Sequence, residues 1–212
     1  MNLLSFHLTD EEGKLLVSLA RTTVKTYIET GQTLKPPQNT PKKFFKNCGV
    51  FVTINKLKQG TKQLRGCIGL PYPTNPLVEA VIEAAVSAAT QDPRFEPLTP
   101  KELDSVVFEV SVLTPPEPFV VEKPQEYLKQ IKVGEHGLIV EKGYRKGLLL
   151  PQVPVEWGWC EEEFLCQCSV KAGLPPDSWL TKEAKIYKFS AIVFEEEEPF
   201  GKVKRKSLTE AI

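Results

Sequence analysis

A cysteine and an arginine lie two positions apart in Leu64–Gly69 (LRGCIG), a short run with the composition of a β-strand. Side chains alternate between the two faces of a strand, so Arg65 and Cys67 are predicted to share one face. A guanidinium beside a thiol favours the thiolate, which is the nucleophilic form of cysteine. Gly66 and Gly69 allow a ligand or another backbone segment to come close to the sulfur. The pattern predicts a reactive thiol, and the alternative is a cysteine packed as a small hydrophobe.

Two other side chains are candidates for the base that a cysteine nucleophile needs. Glu109 lies within a predicted strand, Val106–Leu113, where its carboxylate faces either solvent or a site. His136 lies between Gly134 and Gly137, in a loop that reaches either a cleft or the open surface. These two residues are therefore candidates whose role depends on the fold.

Polar and aromatic residues alternate further along the chain, where Gln152 and Glu156 precede Trp157 and Trp159. Small-molecule pockets combine apolar walls with a few polar groups, so these residues are candidates for a pocket lining. The alternative is that the tryptophans belong to the core while the two polar side chains are exposed. Both interpretations stay open at this point.

The close spacing of Cys160, Cys166 and Cys168 does not favour a metal site. Residues two apart on a helix point about 200° away from each other, and no C-x-x-C pair is present. The glycines also do not form either of the phosphate-binding motifs that open a helix after a strand. The sequence therefore predicts metal-free cysteines and does not indicate nucleotide-phosphate chemistry.

The hexapeptide LRGCIG is also the hallmark of the AMMECR1 family, which this chain resembles over nearly its whole length. The other segments that resemble family blocks are Asp92–Phe95, Glu109–Leu113, Gly147–Val153, Lys171–Leu174 and Trp179. The first of these blocks makes Arg94 a candidate binding residue. Members of the family often occur beside Memo-like and radical-SAM proteins in prokaryotes, which implies a shared modification pathway. The family has no firmly assigned reaction, so the resemblance implies neither a substrate nor a cofactor.

Two function classes follow from these residues. The first is a cysteine-dependent enzyme that acts on a nucleobase or another small organic substrate, and the second is a non-catalytic binding or adaptor domain with a cleft at the LRGCIG strand. The candidate catalytic residues are Cys67, Arg65 and Glu109, and the candidate binding residues are Gly66, Gly69, Arg94, His136, Gln152 and Glu156.

Composition narrows the possible partners of the 212-residue chain. The 27 Lys and Arg residues equal the 27 Asp and Glu residues, so no overall charge attracts nucleic acid or an anionic membrane. No apolar run approaches the length of a transmembrane helix, and the N-terminal segment lacks the basic region of a signal peptide. Five cysteines without a secretory signal indicate reduced thiols. The sequence therefore predicts a cytoplasmic protein.

The order of the predicted elements indicates an α+β protein of two lobes with antiparallel sheets and packed helices. A helix capped by Thr9 ends near Gly31, and a hairpin, a helix from Pro76 and the strand Val106–Leu113 follow. Proline clusters on either side of this group predict a lobe of residues 49–116, with residues 1–48 and 117–212 forming the larger lobe.

Five further elements are predicted in the second half of the chain. Short strands are expected at 131–133, 138–141 and 147–150, and a helix is expected from Glu161 to Gly173. A last strand is expected at 186–194, followed by a solvated or loosely docked tail from Pro199 onward.

Overall fold

The computed structural model describes residues 6–58 and 60–207, which form five α-helices, short 3₁₀ turns and two β-sheets. The predicted α+β class is therefore confirmed. Within these residues no helix is long and apolar enough to cross a membrane. In chain order the elements are α1 (Asp10–Thr30), β1 (Gly49–Lys58), β2 (Thr61–Leu70), α2 (Leu77–Thr90), β3 (Val106–Leu113), β4 (Glu117–Pro118), α3 (Tyr127–Gln130), β5 (Gly137–Lys142), β6 (Arg145–Leu149), α4 (Gln152–Trp157), α5 (Glu161–Lys171), β7 (Lys185–Phe189), β8 (Ala191–Glu196) and β9 (Val203–Lys206).

Local capping defines both ends of α1. The Thr9 hydroxyl accepts a hydrogen bond from the backbone N–H of Glu12, and the Glu12 carboxylate accepts one from the backbone N–H of Thr9. This reciprocal pair satisfies N–H groups that every helix leaves unpaired in its first turn. Gly31 ends the helix in the left-handed conformation with φ of 72°, which glycine adopts without a steric penalty. The predicted first helix is confirmed.

The first compact unit comprises the described residues up to Leu113 together with Ile192–Lys206. Its five-stranded sheet has the order β2-β1-β3-β8-β9, and β1 pairs antiparallel with both β2 and β3. The alanine-rich helix α2 packs on this sheet, and residues of α1, α2, β1 and β3 share one apolar core. The predicted hairpin and the predicted helix packed on it are therefore confirmed.

The second compact unit spans Thr114–Ala191. Its four-stranded sheet has the order β4-β7-β5-β6, in which β5 pairs antiparallel with both β6 and β7. Helix α5 contributes Phe164, Leu165 and Cys168 to a separate apolar core that also contains Trp179. The predicted strands at 138–141 and 147–150 correspond to β5 and β6, and the predicted helix corresponds to α5.

The two units differ from the two predicted lobes. One predicted lobe was residues 49–116, and the other combined residues 1–48 with residues 117–212. The second proline cluster does follow the end of the first unit at Leu113, but the first cluster does not separate α1 from the hairpin. Helix α1 buries an apolar stripe in the same core as β1 and β3, and Phe194 of β8 lies so close to Gly13 of α1 that any side chain there would overlap the ring. Proline clusters mark turns of the chain, whereas packed apolar faces define the unit.

Three predicted elements also require correction. Residues 131–133 form no strand, because Ile131 caps α3 and its N–H donates to the Tyr127 carbonyl. The strand expected at 186–194 is interrupted at Ser190, so that β7 and β8 belong to different sheets. The tail expected to be solvated or loosely docked contains β9, which pairs with β8, while its last residues, 208–212, lie outside the described residues.

Candidate functional site

Cys67, Thr53 and Glu109 lie side by side on the neighbouring strands β2, β1 and β3. Thr53 is the Cα partner of Cys67 in one strand pair and of Glu109 in the other. The Thr53 hydroxyl donates a hydrogen bond to the Cys67 Sγ, with 3.2 Å between Oγ1 and Sγ. Because adjacent strands are about 4.8 Å apart, the Cα atoms of Cys67 and Glu109 are separated by about 10 Å. These three residues are called the Cys67 row below.

The Cys67 row occupies the face of the first sheet that is opposite its helices. Val52 and Ile54, on either side of Thr53, belong to the core shared with α1 and α2, as do Phe108 and Val110 on either side of Glu109. Alternation then directs Thr53 and Glu109 to the other face. The fold therefore separates a packed face from a polar face along the same strands.

Arg65 is the extra residue of a β-bulge, because Leu64 and Gly66 are the Cα partners of consecutive residues in β1. A bulge interrupts regular alternation and re-aims the side chains beside it. The Arg65 guanidinium donates two hydrogen bonds to the Glu102 carboxylate, with Nε–Oε1 at 2.9 Å and Nη2–Oε2 at 3.2 Å. The expectation that Arg65 acts on the thiol rested on strict alternation, and the structure instead pairs this guanidinium with Glu102.

The backbone of Cys67 is held at the edge of the sheet by an ion pair. Its N–H donates to Asp92 Oδ2 at 2.8 Å, and its carbonyl accepts from Arg94 Nη2 at 3.4 Å. Arg94 also donates to Asp92 through Nε and Nη2, at 2.9 and 2.7 Å. This pairing holds the pKa of the buried Asp92 carboxyl well below its usual range. The two residues, called the Asp92–Arg94 clamp below, satisfy backbone groups that an edge strand otherwise leaves open.

The two glycines of the hallmark are required by close packing. A Cβ at Gly66 would overlap the backbone carbonyl oxygen of Ala88 in α2, and a Cβ at Gly69 would overlap the ring of Phe51. Gly66 therefore serves the approach of another backbone segment, which is one of the two roles expected for it. Gly69 provides the space that the Phe51 side chain occupies.

Charged side chains continue the polar face beyond Glu109. Lys206 Nζ donates to Glu109 Oε2 at 3.1 Å, and Glu195 accepts from Lys62 Nζ at 2.6 Å. Burial raises the pKa of the Glu109 carboxyl, and the nearby Lys206 ammonium opposes that shift. A partly buried carboxyl with a raised pKa is a candidate general acid or base.

The electrostatic surroundings of the Cys67 thiol favour its neutral form. Burial raises the pKa of the thiol, while the hydrogen bond from Thr53 and the charge of Arg94 lower it. The charges of Glu109 and Asp92 raise the pKa further. The cation that acts on this thiol is therefore Arg94, which the resemblance named as a binding residue.

The remaining candidates, His136, Gln152 and Glu156, belong to the second unit. His136 Nδ1 accepts a hydrogen bond from the backbone N–H of Lys132 at 3.2 Å, which fastens its own loop. Gln152 begins the short helix α4 and has a buried Oε1 atom without a hydrogen-bond partner among the described residues, whereas Glu156 is exposed. Their predicted binding roles stay predictions.

All five cysteines lie within the described part of the chain and are free thiols. Burial raises the pKa of Cys48 to about 11 and that of Cys168 to about 12, so both are inert in neutral solution. No group of three His, Cys, Asp or Glu residues with metal-ligand geometry is found in the described ranges. The prediction of metal-free cysteines is tested by elemental analysis of protein from a metal-replete host, and stoichiometric zinc lost in a Cys166→Ser/Cys168→Ser variant would contradict it.

Sequence reasoning missed Thr53 and Asp92. Thr53 has a detectable signal, because a hydroxyl in an otherwise apolar strand beside the hallmark strand is a candidate for a cross-strand contact. Asp92 was quoted as part of a family block, but its contact with the Cys67 backbone spans 25 positions. Such a contact depends on the position of α2 in the fold, because Asp92 follows the end of this helix and reaches the edge strand β2 from there.

Comparison with known proteins agrees with the fold and with the family resemblance. A protein of Thermococcus gammatolerans is 55% identical over 204 residues, which cover 96% of this chain and 99% of that protein. Protein MK0488 of Methanopyrus kandleri is 52% identical over 206 residues, with 96% and 97% covered. The crystal structure of the uncharacterized protein PH0010 from Pyrococcus horikoshii matches with a TM-score of 0.84 and 54% identity, and covers 95% of this chain and 100% of that one. The AMMECR1 family model matches residues 17–194, and the chain belongs to the AMMECR1 family.

Proposed function

We propose that the Cys67 row is the reaction centre of a cytoplasmic enzyme that acts on a nucleobase or another small organic substrate. The observation that carries this proposal is the arrangement of a thiol, a hydroxyl and a carboxyl on one sheet face, with the hydroxyl hydrogen-bonded to the thiol sulfur. Cysteine is the nucleophile, and the Thr53 hydroxyl stabilises negative charge as it develops on Sγ. Glu109 is the general acid or base.

The spacing within the row sets the size of the substrate. Cys67 and Glu109 are too far apart for direct proton transfer, because their Cα atoms are about 10 Å apart. A small planar molecule lying across Thr53 contacts both groups at once. Because burial raises the pKa of the thiol, Cys67 enters the reaction as a neutral thiol: its Sγ adds to one end of an electrophilic double bond of the substrate, the thiol proton passes to the other end, and Glu109 acts as general acid or base on the substrate itself.

A role in a modification pathway shared with Memo-like and radical-SAM proteins belongs to this proposal and rests on the family association alone. The test is untargeted metabolite and tRNA-modification profiling of a strain that lacks the gene. We expect rescue by the wild-type gene and by Cys160→Ala, which alters an exposed cysteine outside the row. Cys67→Ala is expected to restore none of the missing product, and Glu109→Gln at most about a hundredth of it.

The second candidate function is a non-catalytic binding or adaptor domain. It is favoured by the internal pairing of the two arginines near the thiol, since Arg65 pairs with Glu102 and Arg94 pairs with Asp92. In that case the hallmark maintains the edge strand and no bond is made at Sγ. Full rescue by Cys67→Ala, together with loss of rescue by Asp92→Ala, would establish the binding function and overturn the enzymatic one.

A further inference from the structure

The first unit has a pocket between α1 and the turn that joins β8 to β9. Its volume is about 640 Å³. This value falls within the range of about 300–1,000 Å³ that is usual for small-molecule sites. The residues that line it, called the Phe200 pocket below, are Lys14, Ser18, Arg21, Glu196, Glu198, Phe200, Gly201, Lys202 and Val203. None of them belongs to the Cys67 row.

Phe200 has a backbone conformation that is unusual for its residue type. With φ of 59° it is the one non-glycine residue with positive φ in the described part of the chain. It occupies the third position of a turn closed by a hydrogen bond from Gly201 N–H to the Glu198 carbonyl, a position that usually holds glycine. A non-glycine residue is strained in this conformation, and such strain is concentrated at functional sites.

The ring of Phe200 is covered on one face only. The Arg21 guanidinium lies 4.1 Å from the Phe200 centroid and 4.7 Å from the Phe108 centroid, so it is sandwiched between the two rings. Arg21 is buried and bound to Glu196, with Nε–Oε1 at 2.7 Å. Phe200 is nevertheless 59% exposed, which leaves its other face open for stacking. The contact that Phe200 makes with Arg21 explains why one face of its ring is covered. It gives no role to the exposed face.

The charges around the pocket favour an anion. Arg21 and Glu196 neutralise each other, so Lys14, Lys202 and Glu198 remain as the charged groups of the lining. Lys14 is also paired with Glu11 on the solvent side of α1. Lys202 has no ion-pair partner within the described residues, and the exposed Ser18 hydroxyl is a further donor. These three remaining groups carry a net charge of +1, which favours an anionic ligand.

We propose that the Phe200 pocket binds a nucleoside monophosphate. The base stacks on the open face of Phe200, and the phosphate accepts hydrogen bonds from Lys202, Lys14 and Ser18. A planar ring and a phosphate in one molecule match the two features that the lining combines, an aromatic platform and two lysine ammonium groups, of which Lys202 has no ion-pair partner within the described residues. The site is independent of the proposed chemistry at Cys67, and Cys67→Ala retains it.

Isothermal titration of the full chain with AMP, adenosine and inorganic phosphate tests this proposal. AMP is expected to bind at least tenfold more tightly than either fragment. Phe200→Gly removes the ring while suiting the left-handed turn, and it should weaken AMP binding at least tenfold. Lys202→Ala should weaken it about threefold to tenfold and leave adenosine binding unchanged.

Tyr144→Gly is the matched control, since Tyr144 is a 92% exposed aromatic residue beside Arg145 in another hairpin. It should leave AMP binding unchanged. The proposal is overturned if AMP fails to saturate the wild-type protein below ~5 mM. It is equally overturned if Phe200→Gly and Lys202→Ala both bind AMP as the wild type does, or if Tyr144→Gly weakens binding as much as Phe200→Gly.

Discussion

The reactivity of a single thiol depends on which charges the fold brings to it. Asp92 and Glu109 raise the pKa of Cys67, whereas Arg94 lowers it, and Arg65 is paired elsewhere with Glu102. The hallmark arginine is therefore not the group that tunes the hallmark cysteine. This arrangement leads to a prediction that distinguishes the two arginine–carboxylate pairs.

Asp92→Asn is expected to accelerate alkylation of Cys67 by iodoacetamide. The substitution removes a charge that raises the thiol pKa and leaves the opposing charge of Arg94 uncompensated. One pKa unit changes the thiolate fraction about tenfold at pH values well below the pKa, so an increase of about threefold to tenfold is expected at pH 8. Peptide mass spectrometry across a pH series measures the rate at each cysteine.

Glu102→Gln is the matched control, because it also breaks an arginine–carboxylate pair but touches neither the thiol nor its backbone. It should leave the Cys67 rate unchanged. A change in the high-pH plateau of Asp92→Asn with no shift in its midpoint would show that the clamp controls exposure and not charge. In the wild type, the exposed Cys160 should react before Cys67.

At the scale of elements, the edge strand β2 depends on close packing against α2. Gly66→Ala is expected to destabilise the first unit by about 2–4 kcal/mol, because its Cβ would overlap the Ala88 backbone carbonyl and a backbone cannot move aside cheaply. Urea unfolding followed by circular dichroism, together with hydrogen exchange in β1 and α2, measures the loss, since Trp157, Trp159 and Trp179 all lie in the second unit.

Gly173→Ala separates this steric effect from the general cost of replacing glycine. Gly173 has positive φ but open space around its Cα, so only backbone strain of about 1 kcal/mol is expected. Equal losses in the two variants would contradict the explanation that Gly66 is required by the close packing of β2 against α2.

The ion pair between Arg65 of β2 and Glu102, in the 3₁₀ turn at Pro100–Ser105, is sensitive to acid. Arg65 lowers the pKa of Glu102 from 4.5 to about 2, so the native state prefers the ionised carboxylate. The resulting stability is present above pH 4.5 and is lost as the pH falls toward 2. After allowance for solvent screening it is about 2 kcal/mol.

Urea midpoints at pH 6, 4 and 2.5 test this linkage. The wild type should lose stability as the pH falls over that range. Asp92 also contributes to this loss, because its pKa is lowered by Arg94. The Glu102→Gln variant should have a lower urea midpoint than the wild type at pH 6, and its midpoint should fall less steeply as the pH is lowered. Parallel curves for the two proteins would mean that Glu102 is not coupled to folding.

At the scale of the whole molecule, the first unit is completed by residues from the far end of the chain. Buried Arg21 of α1 pairs with buried Glu196 of β8, 175 positions away. It also donates to the Leu103 and Val106 carbonyls. Glu196→Ala is expected to destabilise this unit by about 3–5 kcal/mol, since it leaves a buried charge without its partner.

Hydrogen exchange in α1 measures that effect directly. If α1 belonged with the second half of the chain, as the proline clusters suggested, Glu196→Ala would accelerate exchange in residues 114–191 as much as in α1. We expect faster exchange in α1 and β3, with β5 and β7 unaffected. Glu198→Ala, two residues away and exposed, should leave every segment unchanged.

Local sequence signals were sufficient for the elements whose stability is local. The capping box at Thr9, the glycine at position 31, the helix after Pro76 and the strand Val106–Leu113 each depend on neighbours within a few residues, and the structure agrees with all of them. The hallmark run was also sufficient for the family assignment. These features are decided by backbone hydrogen bonding and side-chain periodicity, which are visible in a short window.

Long-range packing decided the rest. The bulge that re-aims Arg65, the return of Asp92 to the Cys67 backbone and the pairing of Arg21 with Glu196 each join residues that no periodicity relates. The same holds for α1. Its apolar stripe is visible in the sequence, but only the tertiary structure shows which surface the stripe packs against. Side-chain charge pairs and buried faces are chosen by three-dimensional proximity, and for that reason the partners of the thiol emerged only from the folded chain.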